Sequence, residues 1–276
     1  MAAWINSGSG YCDAVGVHMK VMISRQAEGA RRLVLGRVRH IAPLLAAAMA
    51  SWSVALGLSI TPALAQPCPD VEVVFARGTY EPPGVGNVGQ AFVDSLQAQA
   101  GNRSIGVYGV DYAASGDFPA PGDLQGGLTF LSTVINGIYD ARDHVQSTAA
   151  NCPNTRIVLG GYSQGAALAG FVTSAAIPKE VPAEYVQYVP KPLPAEVANH
   201  VAAVTLFGKP SDQFLSTYGV PPIKIGPLYA PKTIELCAPG DDICSGVPGG
   251  QPGFAHITYG MNGMTNDAAA FVVSRL

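Results

Sequence analysis

The chain has 276 residues, 48% of them hydrophobic and 13% charged, with a formal net charge of −3. Six of the 16 basic residues and two of the 19 acidic ones precede residue 66, which leaves 10 against 17 beyond it and no basic stripe. That balance excludes nucleic acid as a partner, while sparse charge with 32 glycines and 22 prolines suits a compact secreted protein with many tight turns.

Residues 1–65 are expected to lie outside the folded domain. Arg31, Arg32, Arg37 and Arg39 precede a nearly uncharged apolar stretch, 41–60, which runs on to Ala63-Leu64-Ala65. A basic region, an apolar region and an A-x-A site in that order describe a secretory signal removed after Ala65. The apolar stretch is also long enough to compete as a membrane anchor. Arg31-Arg32 is a poor match to a twin-arginine signal. Residues 1–30 lack hydrophobic periodicity and fit an upstream extension ahead of a start at Met19 or Met22. The 211 residues from Gln66 to Leu276 suit one domain with a full core.

Within 66–276, strands and helices are expected to alternate. Residues 71–76 read as an apolar strand, and 87–100 as a helix with Val88, Phe92, Val93 and Leu96 on one face. A second strand at 104–110 precedes a long helix at 128–150, which ends at Asn151-Cys152-Pro153. An apolar run at 156–160 leads into Gly161-Tyr162-Ser163-Gln164-Gly165 and then a helical stretch, 166–172. Residues 177–194 carry five prolines around Tyr185 and Tyr188; a proline-stiffened surface loop is favoured slightly over a rim or partial lid. Strands follow at 201–207 and 232–236, separated by an apolar stretch, 215–229, that would line the acyl-binding side of a cleft. An amphipathic helix, 265–275, closes the chain. The alternation predicts an α/β fold: a mainly parallel five-stranded sheet flanked by helices on both faces.

The pentapeptide at 161–165 carries the functional reading. It fits G-x-S-x-G between a buried strand and a helix, the setting of a nucleophile elbow, so Ser163 is the candidate nucleophile. A serine nucleophile needs a histidine base, and the base needs an acid to orient it. Of the three histidines beyond the leader, His144 reads as a solvated residue on a helix flank. His200 precedes every late aspartate. His256 alone follows them, in a Gly/Pro-rich loop, and completes the order Ser, Asp, His. The acid stays open among Asp212, Asp241 and Asp242, although a bridged loop between Cys237 and Cys244 favours the latter two.

Cys68, Cys152, Cys237 and Cys244 are an even set in an extracellular context. They allow three pairings, among which sequence alone does not choose. Cys237 and Cys244 are near enough to close a small loop, which would leave Cys68 for Cys152. No C-x2-C pair or neighbouring histidine completes a zinc site, and no metal or cofactor is expected.

Three separated motifs in order, Phe75-Ala76-Arg77-Gly78-Thr79, Gly161-Tyr162-Ser163-Gln164-Gly165 and Cys237-Ala238-Pro239-Gly240-Asp241-Asp242-Ile243-Cys244, resemble the cutinase family. The likeness is strongest to the cutinase-like secreted esterases of mycobacteria, and it runs from about Cys68 to the C-terminus. It implies an α/β-hydrolase fold, Ser163, Asp241 and His256 as the catalytic triad, and disulfides Cys68–Cys152 and Cys237–Cys244. It also implies an oxyanion hole built from the N–H of Gln164 and that of Thr79, with the Thr79 hydroxyl beside it. Many cutinases have serine at the position of Thr79; the related acetylxylan esterases have threonine. The activity implied is hydrolysis of carboxylic esters with short to medium acyl chains by a secreted monomer acting on an ester or lipid substrate, with contact to a lipid surface or cell envelope. The alternatives on the same scaffold are acyl transfer, deacetylation of a polysaccharide, and a non-catalytic surface binding protein.

Overall fold

Among the described residues, five strands and six helices follow one another: β1 (Val71–Ala76), α1 (Gly86–Gln99), β2 (Ile105–Gly109), α2 (Leu124–Asn151), β3 (Arg156–Tyr162), α3 (Gln164–Val172), β4 (Val201–Phe207), α4 (Asp212–Thr217), β5 (Thr233–Leu236), α5 (Asp242–Ser245) and α6 (Met264–Val273). They come from a computed structural model that describes residues 67–119 and 123–276. The leader, its cleavage after Ala65 and the anchor alternative lie outside the described residues. The strands form one sheet in the order β2-β1-β3-β4-β5, with every neighbouring pair parallel.

The two-residue period of a strand explains how both faces are covered. Val71, Val73 and Phe75 of β1 point to the side packed by α1 and α6, with Phe92, Leu96, Ala268 and Val272. Val74 and Ala76 point to the other side, where Ile138, Ala141 and Val145 of α2 meet Ala166 and Leu168 of α3. Buried on both faces, the inner strands read as continuous apolar runs, as parallel strands must. Phe75, Phe92 and Phe207 meet with ring centroids 5.7–6.1 Å apart, each worth about 2–3 kcal/mol of burial.

Helix α2 begins four residues earlier than its apolar pattern suggests, because the Asp123 carboxylate caps it by accepting the Gly126 N–H at 2.9 Å. The short helices α4 and α5 have no apolar periodicity to announce them. They are started instead by side-chain caps, Ser211 accepting from Phe214 and Asp241 from Ile243. Residues 177–194 form a surface loop that returns to the α2 side, where Leu193 is buried and Tyr139 donates to the Tyr188 carbonyl. In the 215–229 stretch, Leu215 and Ile223 pack on Ala167 of α3, one turn beyond Ser163. The disulfides are Cys68–Cys152 and Cys237–Cys244. Among the described residues, no helix is long and apolar enough to cross a membrane.

Candidate active site

All five strands being parallel, their C-terminal ends share one edge, and the loops that leave it converge. The register sets Ala76 beside Gly161 and Tyr162 beside Phe207. The loop after β1, the turn after β3 and the loop after β5 are therefore neighbours. Ser163 sits on the middle one, between β3 and α3, with φ 54° and ψ −117°. A β-carbon there is tolerated only because the glycines on either side let backbone approach backbone. A Cβ on Gly161 would lie 2.2 Å from the Gly165 carbonyl oxygen, and one on Gly165 would lie 2.0 Å from that of Ala76. The Ser163 N–H is held by the Phe207 carbonyl at 2.9 Å.

His256 lies on a short 3-10 turn, Phe254–Ile257, and is 4% exposed. Its Nε2 accepts the Ser163 hydroxyl at 2.8 Å, and its Nδ1 donates to Asp241 at 2.9 Å from Oδ2 and 3.0 Å from Oδ1. Asp241 is fully buried. Burial pushes its carboxyl up, but hydrogen bonds from His256, Tyr259 and the Ile243 N–H outweigh it and hold it below the ordinary carboxylate value. An ionised carboxylate can only accept, which leaves the imidazole proton on Nδ1 and turns the Nε2 lone pair to the serine.

The other candidates are not in this chain of contacts. Asp212 is exposed in the first turn of α4. Asp242 is half-buried on α5, next to Asp241 but without its contacts. His200 lies at the start of β4, the far end of the sheet, where its carbonyl accepts the Ile157 N–H. His144 departs from expectation. It is half-buried rather than freely solvated, stacks on Tyr108 with ring centroids 3.5 Å apart, and bonds Glu72 Oε1 at 3.1 Å. Its place on α2, facing Glu72 near the start of β1, keeps it far from Ser163 along the strand direction.

Gln164 opens α3, so its N–H is one of the orphan donors of a helix start. Its side chain is buried and donates to the Ser115 carbonyl at 3.0 Å. Thr79 lies in the turn after β1, half-buried, with Gly78 packed at the Tyr162 ring. Among the described residues, three that are not glycine take positive φ: Tyr80, Ala114 and Ser163. All three belong to this edge, since the Tyr80 N–H donates to the Ala114 carbonyl at 2.9 Å. Backbone strain is concentrated around the serine.

Two residues here escaped the sequence reading. The Tyr259 hydroxyl donates to Asp241 Oδ2 at 2.6 Å and accepts the Ala238 N–H at 2.9 Å. The Tyr162 hydroxyl donates to the His256 carbonyl at 2.6 Å. Burial first, and then nearby carboxylates, Glu81 and Asp241 for Tyr162 and Asp241 for Tyr259, raise both phenol pKa values and keep the hydroxyls protonated as donors. Tyr259 lies beyond the end of the 3-10 turn Phe254–Ile257, so no periodicity in the sequence pointed to it. Among the described residues, no group of three or more histidine, cysteine or acidic side chains is placed to hold a metal ion.

A parallel five-stranded sheet, helices on both faces and a serine on the sharp turn between strand and helix define an α/β-hydrolase. The cutinase family model matches residues 67–276, and the chain belongs to that family. It is 58% identical over 179 residues to the probable carboxylesterase Culp7 of Mycobacterium tuberculosis, covering 65% of this chain and 89% of that one. To the phospholipase Culp4 of the same organism it is 46% identical over 259 residues, covering 92% and 100%. Among solved structures, Trichoderma reesei cutinase in complex with a phosphonate inhibitor is 36% identical, with a TM-score of 0.52 over 75% of this chain and 77% of that one. An acetylxylan esterase is 25% identical, with a TM-score of 0.58 over 76% and 99%.

Proposed function

We propose that this protein is a serine esterase that hydrolyses carboxylic esters through an acyl-enzyme. Ser163 Oγ attacks the ester carbonyl while His256 Nε2 takes its proton and passes it to the leaving alcohol. Asp241 holds the imidazole and stabilises its protonated form. The alkoxide that develops on the carbonyl oxygen is met by the N–H groups of Gln164 and Thr79. Water, deprotonated by His256, then releases the acid and restores the serine. The observation that carries this reading is the unbroken run of contacts from the half-exposed Ser163 through His256 to a fully buried Asp241.

Export belongs to the same proposal, supported by two disulfides, which persist in oxidising compartments. Contact with a lipid surface is supported by apolar side chains beside the site. Phe254 is 78% and Ile257 61% exposed, on either side of His256, and Tyr80, next to Thr79, is 75% exposed. Deacetylation of a polysaccharide is the second reading, favoured by threonine at position 79 and by the acetylxylan esterase likeness.

Labelling with an alkyl p-nitrophenyl phosphonate tests the reaction directly. One equivalent of p-nitrophenol should be released as Ser163 is modified, with loss of activity in step. No modification of Ser163 would leave a non-catalytic binding protein as the better reading. A panel of p-nitrophenyl esters of rising chain length, with acetylated xylan beside it, separates the substrate classes, and an added alcohol that captured most of the acyl group would favour transfer.

A further inference from the structure

The turn that carries Thr79 is tied down by one carboxylate. Glu81 Oε2 accepts the Gly78 N–H at 2.7 Å, while Oε1 accepts those of Asn87 at 2.7 Å and Val88 at 3.4 Å, in the first turn of α1. An anion is favoured there, because orphan N–H groups and the helix dipole both point at it. The backbone leaves space for this one side chain: a Cβ on Gly86 would come within 2.2 Å of Glu81 Oε2. The turn also closes on itself, since the Glu81 N–H donates to the Gly78 carbonyl at 3.2 Å.

A second set of bonds braces the same turn from the sheet side. The buried Arg77 guanidinium donates to the carbonyls of Glu81 at 3.0 Å, Val110 at 3.4 Å and Tyr112 at 2.5 Å. The Tyr112 hydroxyl donates back to the Arg77 carbonyl. Thr79 therefore lies between two tethered neighbours, Gly78 held by Glu81 and Tyr80 held by Ala114. The Glu81 N–H on the Gly78 carbonyl and the Tyr80 N–H on the Ala114 carbonyl fix the two peptide planes that flank Thr79, and the Glu81 carboxylate fixes the plane before them through the Gly78 N–H.

We propose that Glu81 is a positioning residue for ester hydrolysis: by locking the 78–81 turn to the start of α1, it holds the Thr79 N–H where the developing alkoxide needs it. This rests on the reading of Thr79 as the second oxyanion donor. A donor of that kind acts only if it is already in place when charge develops, so a displaced turn lowers kcat and spares KM.

Two substitutions separate geometry from charge. Glu81→Gln keeps the size of the side chain, but its amide NH2 must face one of the N–H groups that the carboxylate accepts. Glu81→Asp keeps the charge and is too short to reach both ends. On a soluble p-nitrophenyl ester, both should lower kcat about 10- to 100-fold, less than the 10²–10³ of a deleted oxyanion donor, with KM within about twofold. The preference for an oxoester over its thionoester should shrink in parallel, because sulfur accepts the oxyanion-hole bonds weakly. A charge effect would instead raise kcat in Glu81→Gln and leave Glu81→Asp unchanged, and would overturn the proposal. So would a folded variant with wild-type kcat and wild-type oxoester preference. Should Glu81→Gln fail to fold by circular dichroism, Glu81→Asp carries the test. Full activity of Ser163→Ala would sink the underlying nucleophile assignment instead, whatever Glu81 does.

Discussion

Two histidine–carboxylate pairs sit toward opposite ends of the same sheet. At the C-terminal edge His256 bonds Asp241 at 2.9 Å, and near the start of β1 His144 bonds Glu72 at 3.1 Å. Each pair is backed by a hydroxyl, Tyr259 on Asp241 and Thr148 on Glu72, both at 2.6 Å. Each carboxyl is held below its ordinary value although burial pushes it up. What separates them is the remaining imidazole nitrogen and its surroundings. The Nε2 of His256 meets a half-exposed serine on a strained turn, whereas the His144 ring is stacked on Tyr108. The Tyr108 hydroxyl is itself pinned by Asp140, its pKa pushed up to about 12 by burial first and then by that carboxylate. A histidine on an acid is thus a structural pair until strand polarity brings it a nucleophile.

The sharpest way to break the comparison is to delete the nucleophile and each histidine in turn. Ser163→Ala and His256→Ala should each lower kcat for a p-nitrophenyl ester by roughly 10⁴-fold or more, and the double variant should be little worse than either. His144→Ala should keep kcat within about threefold, its cost appearing in thermal stability instead. More than a tenth of wild-type activity in Ser163→Ala would end the nucleophile assignment.

The acids come next. Asp241→Asn should reduce kcat by about 10³–10⁴-fold, because an amide in place of the carboxylate selects the wrong imidazole tautomer. Asp212→Asn and Asp242→Asn should stay within a few-fold of wild type. An inactive Asp212→Asn beside a normal Asp241→Asn would mean that Asp212 orients the base in solution, against the contacts seen here.

Most of the fold was legible because its strands are buried on both faces. Strands 71–76 and 201–207 stand where their apolar runs placed them, and G-x-S-x-G located the turn between strand and helix. Less was legible where structure depends on caps rather than periodicity, as at Asp123, α4 and α5. The choice of Asp241 over Asp242 came from family likeness, since adjacent aspartates look the same to composition. Physically, the difference is a carboxylate used as a helix cap and aimed inward against one left half-exposed on the helix. His144 was misread because its partners, Glu72 and Tyr108, arrive from two strands distant in sequence.

The disulfides sharpen the contrast between an edge that positions and a body that holds. Loop-closure entropy gives the Cys237–Cys244 bridge, seven residues apart, about 2–3 kcal/mol and the Cys68–Cys152 bridge, 84 apart, about 4–5. Cys237→Ser with Cys244→Ser should lower kcat about tenfold or more at temperatures where circular dichroism still reports a folded protein, because Asp241 loses its fixed loop. Cys68→Ser with Cys152→Ser should lower Tm more and kcat less. Equal kcat losses in the two folded variants would remove the positioning role from the small bridge.

The smallest effect tests the structural pair on its own terms. The Glu72 carboxyl is held below the ordinary carboxylate value, because bonds from His144 and Thr148 outweigh the burial that would raise it. A depressed folded pKa contributes stability that is fully present above about pH 4.3 and is lost as pH falls through the folded value. Glu72→Gln should therefore cost about 1 kcal/mol or less at neutral pH, given a half-buried pair, which corresponds to a Tm lower by about 2–4 °C. The difference from wild type should hold from pH 6 to about 4.3 and shrink below that as the pH is taken to 3. Ester hydrolysis at neutral pH should be unaffected, since no group of this pair faces Ser163. A constant difference in Tm across that range would show that the carboxyl's ionisation is not what the pair stabilises. A kcat loss on the scale of Asp241→Asn would mean that the two ends of the sheet are coupled and that the pairs cannot be told apart by position.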